Sequence, residues 1–194
     1  IEYYSRALQL SQHLNRREAD RWRAAVGLAD TQQHIGEYEE ATAFYEAALD
    51  EWKEATTKDQ AEVMLKLGRV WDKRGGLEEA ETWLRQALSK VKTLDSTLPN
   101  IEADIFSSLG WLSLRRGNLP TARELLEEAV HIVEKTQHYD VLSAGLNRLG
   151  AVYYNQGDWQ HATQVVERSL AIREELGDLL GVARSSNNLG ILQC

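Results

Sequence analysis

A glycine followed five residues later by an alanine recurs four times in this chain of 194 residues. The segments are "GEYEEA" (36–41), "GGLEEA" (75–80), "GNLPTA" (117–122) and "GDWQHA" (157–162). The glycines are spaced by 39, 42 and 40 residues, and the same context surrounds each. Seven residues before them lie Ala29, Gly68, Gly110 and Gly150, with Gly190 opening a fifth register. Each is preceded by a leucine: Leu28, Leu67, Leu109, Leu149 and Leu189. Seven residues after each aligned alanine comes another small residue: Ala48, Ala87, Ala129 and Ser169. Ala7 stands 41 before Ala48, so the chain starts inside a helix of an earlier unit. A period of this length means stacked supersecondary units, none of which can bury its hydrophobic face alone.

Each unit reads as two helices. The first carries apolar residues at helical spacing, as Ile105, Leu109 and Leu112 do, and ends at the aligned glycine, which supplies a left-handed turn. The second opens on Tyr38, Leu77, Leu119 or Trp159 and buries a face through the alanine, a bulky residue (Tyr45, Leu84, Leu126, Val166) and Ala or Ser beyond. Small residues at fixed places let helix axes approach closely. Pro120 falls near the start of its helix, where a missing N–H costs little. The polar stretches "ATTKDQ", "DSTLPN", "KTQHYD" and "ELGDLL" read as turns between helices. Composition agrees with an all-α chain: strong helix formers abound, and only two prolines occur.

The Leu-Gly pair, the Gly seven on, the Ala five after that and the small residue seven beyond resemble the tetratricopeptide repeat family. The period is nearer 40 than the family's usual 34. That is similar to a subgroup with extended second helices: kinesin light chains, Pins-type adaptors and bacterial regulator arrays. "ERSLAIREELGDLLGVARSSNNLG" carries the likeness most clearly. Gln32 and Ser113 stand where some first helices have an aromatic, and the proline usual at unit boundaries is missing. The resemblance implies an all-α, right-handed superhelical solenoid of antiparallel helix pairs over 1–194. Its parts are the second helix of a preceding repeat (1–21), repeats over 22–60, 61–102, 103–142 and 143–182, and the first helix of a fifth (183–194).

Chemistry is sparse. His13, His34, His131, His138 and His161 never take metal-ligand spacing. There is no phosphate-binding loop and no nucleophile elbow. Cys194 is the only cysteine and reads as a helix-face thiol. No catalytic residue, metal or cofactor is expected, and the chain reads as non-enzymatic. A net charge of −8 argues against nucleic acid. Apolar runs fall short of a membrane span, no signal peptide opens the chain, and one cysteine fits a reducing compartment. The expected setting is the cytoplasm. Trp71, Trp83 and Trp159 fall on faces that the register buries, Trp22 and Trp52 on neither face clearly. Trp111 is either a groove anchor or packing against the neighbouring first helix.

In the family, first helices line a concave wall. Carried over, its groove positions are Arg23, Asp30, Gln33 and His34; Lys66, Arg69, Asp72 and Lys73; Ser107, Trp111 and Arg115; Asn147, Arg148, Ala151, Tyr154 and Asn155; then Arg184, Asn187 and Asn188. Arginine forks and Asn amides suit carboxylates and the backbone of an extended peptide. The Lys/Asn set with which some members hold a terminal carboxylate is not reproduced. The resemblance thus implies a scaffold for a protein or peptide, acidic or extended, bound along this groove. The alternative is a sensor array within a larger bacterial signalling protein, a nucleotide switch or cyclase, docking on neighbouring domains or sensing a small ligand or peptide. Uncapped terminal helices would favour self-association. Leu189 and Gly190 are expected to seat the last helix on the fourth unit, and the stop at Cys194 reads as a fragment boundary.

Overall fold

A computed structural model describes residues 18–51, 56–94 and 97–193, with side chains omitted at 18–20 and 51. Ala7, His13, Trp52 and Cys194, and with them most of the helix expected over 1–21, lie outside the described residues. Among the described residues are nine helices and no strand: α1 (Glu18–Ile35), α2 (Tyr38–Glu51), α3 (Thr57–Arg74), α4 (Leu77–Lys92), α5 (Pro99–Arg115), α6 (Leu119–Glu134), α7 (Tyr139–Asn155), α8 (Trp159–Leu176) and α9 (Leu179–Leu192). The chain is an all-α repeat solenoid of helix pairs. It divides into two compact units, residues 1–96 with α1–α4 and residues 97–194 with α5–α9. The later first helices begin at Thr57, Pro99, Tyr139 and Leu179, each four residues ahead of the boundaries at 61, 103, 143 and 183. "ELGDLL" and "ATTKDQ" are mostly helix ends rather than turns, with only Gly177 and Asp178 between α8 and α9.

Local chemistry sets these boundaries. Gly36, Gly75, Gly117 and Gly157 all adopt positive φ, between 75° and 93°, and close the first helices as their register requires. Thr56, Asn118, Asp158 and Asp178 cap α3, α6, α8 and α9 by accepting from the N–H three residues on.

The Leu-Gly glycines have a different task. A Cβ on Gly68 would lie 2.6 Å from Leu84 Cγ, one on Gly110 2.6 Å from Leu126 Cγ, and one on Gly150 2.4 Å from Val166 Cγ2. Each marks the crossing of a first helix with the second helix of its own repeat, where the bulky residue enters the space a side chain would take. The apolar residues expected at that seam (Tyr45, Leu84, Leu126 and Val166) are all buried. In unit 1 Tyr45 and Leu67 join a core with Val63 and Val70, against which Trp71 and Trp83 pack half-buried.

Two expectations fail. A Cβ on Gly190 would meet nothing within 4 Å, so this glycine does not make the close approach expected of it. The close approach at this position belongs to the second helix of the same repeat, as Gly150 and Val166 show; Gly181 and Ser185 are the buried residues of α9. Trp159 is 56 % exposed, not buried. It is the first residue of α8 and sets its ring edge-on to Tyr154, centroids 5.5 Å apart, instead of entering the core.

Candidate functional site

In unit 1 the first-helix face is built on a polar network. Lys66 Nζ of α3 donates to both carboxylate oxygens of Asp30 on α1, at 2.7 and 2.8 Å. The hydroxyl of Tyr45, fully buried, faces Asp30 Oδ1 at 2.5 Å and Gln33 Oε1 at 3.0 Å. Burial first, and then the hydrogen bond to Asp30, push the Tyr45 phenol far above the ordinary tyrosine value. Lys66 is therefore half of an ion pair. Beyond it on α3, Arg69 and Asp72 are half-buried and Lys73 is exposed; Arg23 and His34 are exposed on α1.

Unit 2 shows why this register position matters. Arg148 Nη1 donates to Ser107 Oγ at 2.7 Å, and Asn188 Nδ2 donates to Asn147 Oδ1 at 3.1 Å. Each joins a residue two before the helix glycine to one three before the glycine of the preceding first helix. Lys66 occupies the same place relative to Gly68. One position thus fastens successive first helices side by side, in both units. Asn147 Oδ1 also accepts from Ser185 Oγ at 3.3 Å. Ser107, expected to line the groove, is buried as the acceptor of Arg148.

The remaining wall positions are spread along the same helices. Trp111 is half-buried and Arg115 exposed on α5; Tyr154 and Asn155 are exposed on α7, and Arg184 and Asn187 on α9. Asn155 Nδ2 donates to Ala151 O at 2.7 Å, folding its amide back on the helix. A pocket of about 100 Å³ lies among α7, α8 and α9, floored by Gly150 and Val166 and walled by Ala151, Tyr154 and Ile191. Sequence reading missed it, though the signal was there: Ala151 stands in register with the much larger Trp111.

Charge divides between the two helix sets. Among the described residues, the four second helices carry 15 Asp/Glu against six Lys/Arg, whereas the five first helices carry nine against ten. Among the described residues no cluster of His, Cys, Asp and Glu has metal-binding geometry, and no helix is long and apolar enough to cross a membrane.

Tetratricopeptide repeat family models match residues 20–92 and 141–194, and 103–136. The chain belongs to the tetratricopeptide repeat family. None of the curated proteins compared with it matches significantly. Among solved structures, BtubC (BKLC) from P. vanneervenii is similar at 21 % identity and a TM-score of 0.79, covering 98 % of this chain and 80 % of that one. A signal transduction ATPase with numerous domains and a tetratricopeptide repeat sensor, from Pyrococcus horikoshii, is similar at 16 % identity and a TM-score of 0.75, over 98 % of this chain and 28 % of that one. A putative kinesin light chain with nearly identical repeats, from Podospora anserina, is similar at 22 % identity and a TM-score of 0.67, over 89 % and 84 %. At these identities the likeness is one of fold. Tetratricopeptide repeats are an interaction architecture, generally non-enzymatic, that binds protein partners.

Proposed function

We propose that this tetratricopeptide repeat chain is a cytoplasmic interaction scaffold that binds an extended, acidic peptide segment of a partner along its first-helix faces. The observation that carries this reading is the charge division: acidic residues crowd the second helices, while Lys66, Arg69, Arg115, Arg148 and Arg184 lie with Asn147, Asn155, Asn187 and Asn188 on the first. A wall of guanidinium and amide groups matches carboxylates and peptide backbone. Because Lys66, Arg148 and Asn188 also fasten neighbouring first helices, binding there draws on side chains already held in place, which lowers the ordering cost of association. Trp111, Tyr154 and the pocket beside Ala151 supply apolar anchorage.

The test is selection of binders from a displayed library of extended peptides, followed by affinity measurement against Arg69→Glu, Arg115→Glu and Asn187→Asp chains. Enrichment of acidic peptides and a loss of about ten-fold per arginine reversal are expected, the size of one charge-assisted hydrogen bond. Affinity unchanged in all three variants would sink the reading. A second reading, a sensor array within a larger signalling protein, is supported by the fold likeness to the repeat sensor of the Pyrococcus horikoshii ATPase. A nucleotide-switch or cyclase domain in the same gene would decide for it.

A further inference from the structure

The fourth repeat lacks side-chain volume at two register positions that line one pocket. Ala151 stands where the preceding repeats carry Asp30, Arg69 and Trp111. Val166 stands where they carry Tyr45, Leu84 and Leu126. The space left there measures about 100 Å³. Val166 of α8 is buried and closes its floor. Ala151 and Tyr154 wall it from α7, and Asn188, Ile191 and Leu192 from α9.

The pocket opens to solvent because of its place in the register. Asp30, Arg69, Trp111 and Ala151 are all half-buried, although a second helix follows each of them. Tyr154 and Ile191 are 38 % and 49 % exposed, so apolar surface continues outward from the pocket. Trp159 extends it further, its ring edge-on to Tyr154. Among the described residues no charged side chain lines the space.

Size and polarity together define the occupant. Small-molecule and cofactor sites measure about 300–1,000 Å³, several times more than this pocket offers. A dry apolar cavity of about 150 Å³ holds a benzene ring; the smaller volume here admits the four carbons of a leucine side chain and not an indole. A carboxylate or ammonium would lose its water and meet no opposite charge. Each buried carbon is worth about four-fold in affinity, so four of them retain a free molecule only weakly. The occupant is therefore one side chain of a segment that is held at other points as well. Asn188 suits such a segment: its Nδ2 is fixed by Asn147 Oδ1 at 3.1 Å, which sets a held amide beside the pocket to meet peptide backbone.

We propose, resting on the first-helix reading of partner binding, that this pocket receives one aliphatic side chain of leucine or isoleucine size from a segment lying across α7 and α9. The fourth repeat thereby selects its partner by residue class, through volume that the third repeat fills with Trp111 and Leu126.

The probe is N-acetyl-leucine methylamide, with the alanine and tryptophan analogues for comparison. Each is titrated into the whole chain and followed by NMR at the methyls of Ala151, Val166, Ile191 and Leu192. The leucine probe should bind weakly but saturably, about ten-fold or more tightly than the alanine probe, which lacks three of the buried carbons. The tryptophan probe should leave the Val166 methyls unmoved. Ala151→Leu and Val166→Leu fill the pocket from its wall and from its floor; both should keep the fold, read from the remaining methyl signals, and lose the leucine probe. Equal binding of the leucine and alanine probes, no saturable shift, a Val166 response to the tryptophan probe that matches the leucine one, or leucine binding that survives both filled variants overturns the proposal. Peptide binding along the first helices fails separately, on unchanged affinity in the Arg69→Glu, Arg115→Glu and Asn187→Asp chains. Leucine-selective binding beside that result would leave the pocket standing without the wider groove, and loss of peptide affinity beside a silent pocket the reverse.

Discussion

The same substitution at two equivalent glycines should have opposite effects. In an open helix, replacing Gly by Ala gains about 1 kcal/mol of helix propensity. At Gly190 nothing lies within 4 Å of the new Cβ, so Gly190→Ala should stabilise unit 2 by about 0.5–1 kcal/mol. At Gly110 the Cβ would lie 2.6 Å from Leu126 Cγ and 3.2 Å from Ala122 O. Neither atom is the loose end of a long side chain, and Leu126 is fully buried. Overpacking of this kind costs about 1–3 kcal/mol, leaving a net loss of about 1–2 kcal/mol once propensity is credited. Leu126→Ala alone should cost about 2–5 kcal/mol by leaving a cavity. Added to that chain, Gly110→Ala finds room and turns stabilising, a coupling of about 2–3 kcal/mol. Urea unfolding followed by circular dichroism measures all four chains, with the slope checked because repeat arrays can unfold in steps. Equal signs at 110 and 190, or additivity between 110 and 126, would refute the close-approach account of these glycines.

Tyr45 is held neutral by burial and by Asp30, so the stability it contributes is present below pH 10.0, the ordinary value, and is lost as pH rises above it. Absorbance at 295 nm should show Tyr45 and Tyr153, whose phenol burial and Glu127 also raise, ionising after the other tyrosines; one common transition at the ordinary value would contradict this. Trp159→Ala should change stability by less than about 0.5 kcal/mol, as for exposed residues generally, and a thermal melt showing a core-sized loss would mean that the ring is buried.

The repeat was legible because two of its positions obey hard constraints. A left-handed turn favours glycine at 36, 75, 117 and 157, and a close helix crossing needs the smallest residue at 68, 110 and 150. Periodicity gives the place of a residue within its own helix but not what the next helix sets beside it. That is why Ser107 was read as groove and is buried beneath Arg148, and why Lys66, read as a groove position, is paired with Asp30. Trp159 was assigned to the core by its place in the register, although a first-turn position leaves a large ring partly outside. The Ala151 pocket was readable as a departure from the repeat in volume, since Ala151 stands where Trp111 does.

Partner binding along the first helices, as proposed, is read out by amide hydrogen exchange of the chain, alone and saturated with an acidic peptide from the library selection. Added protection is expected in α3, α5, α7 and α9, with the second helices α2, α4, α6 and α8 unchanged. Protection confined to the second helices would contradict it.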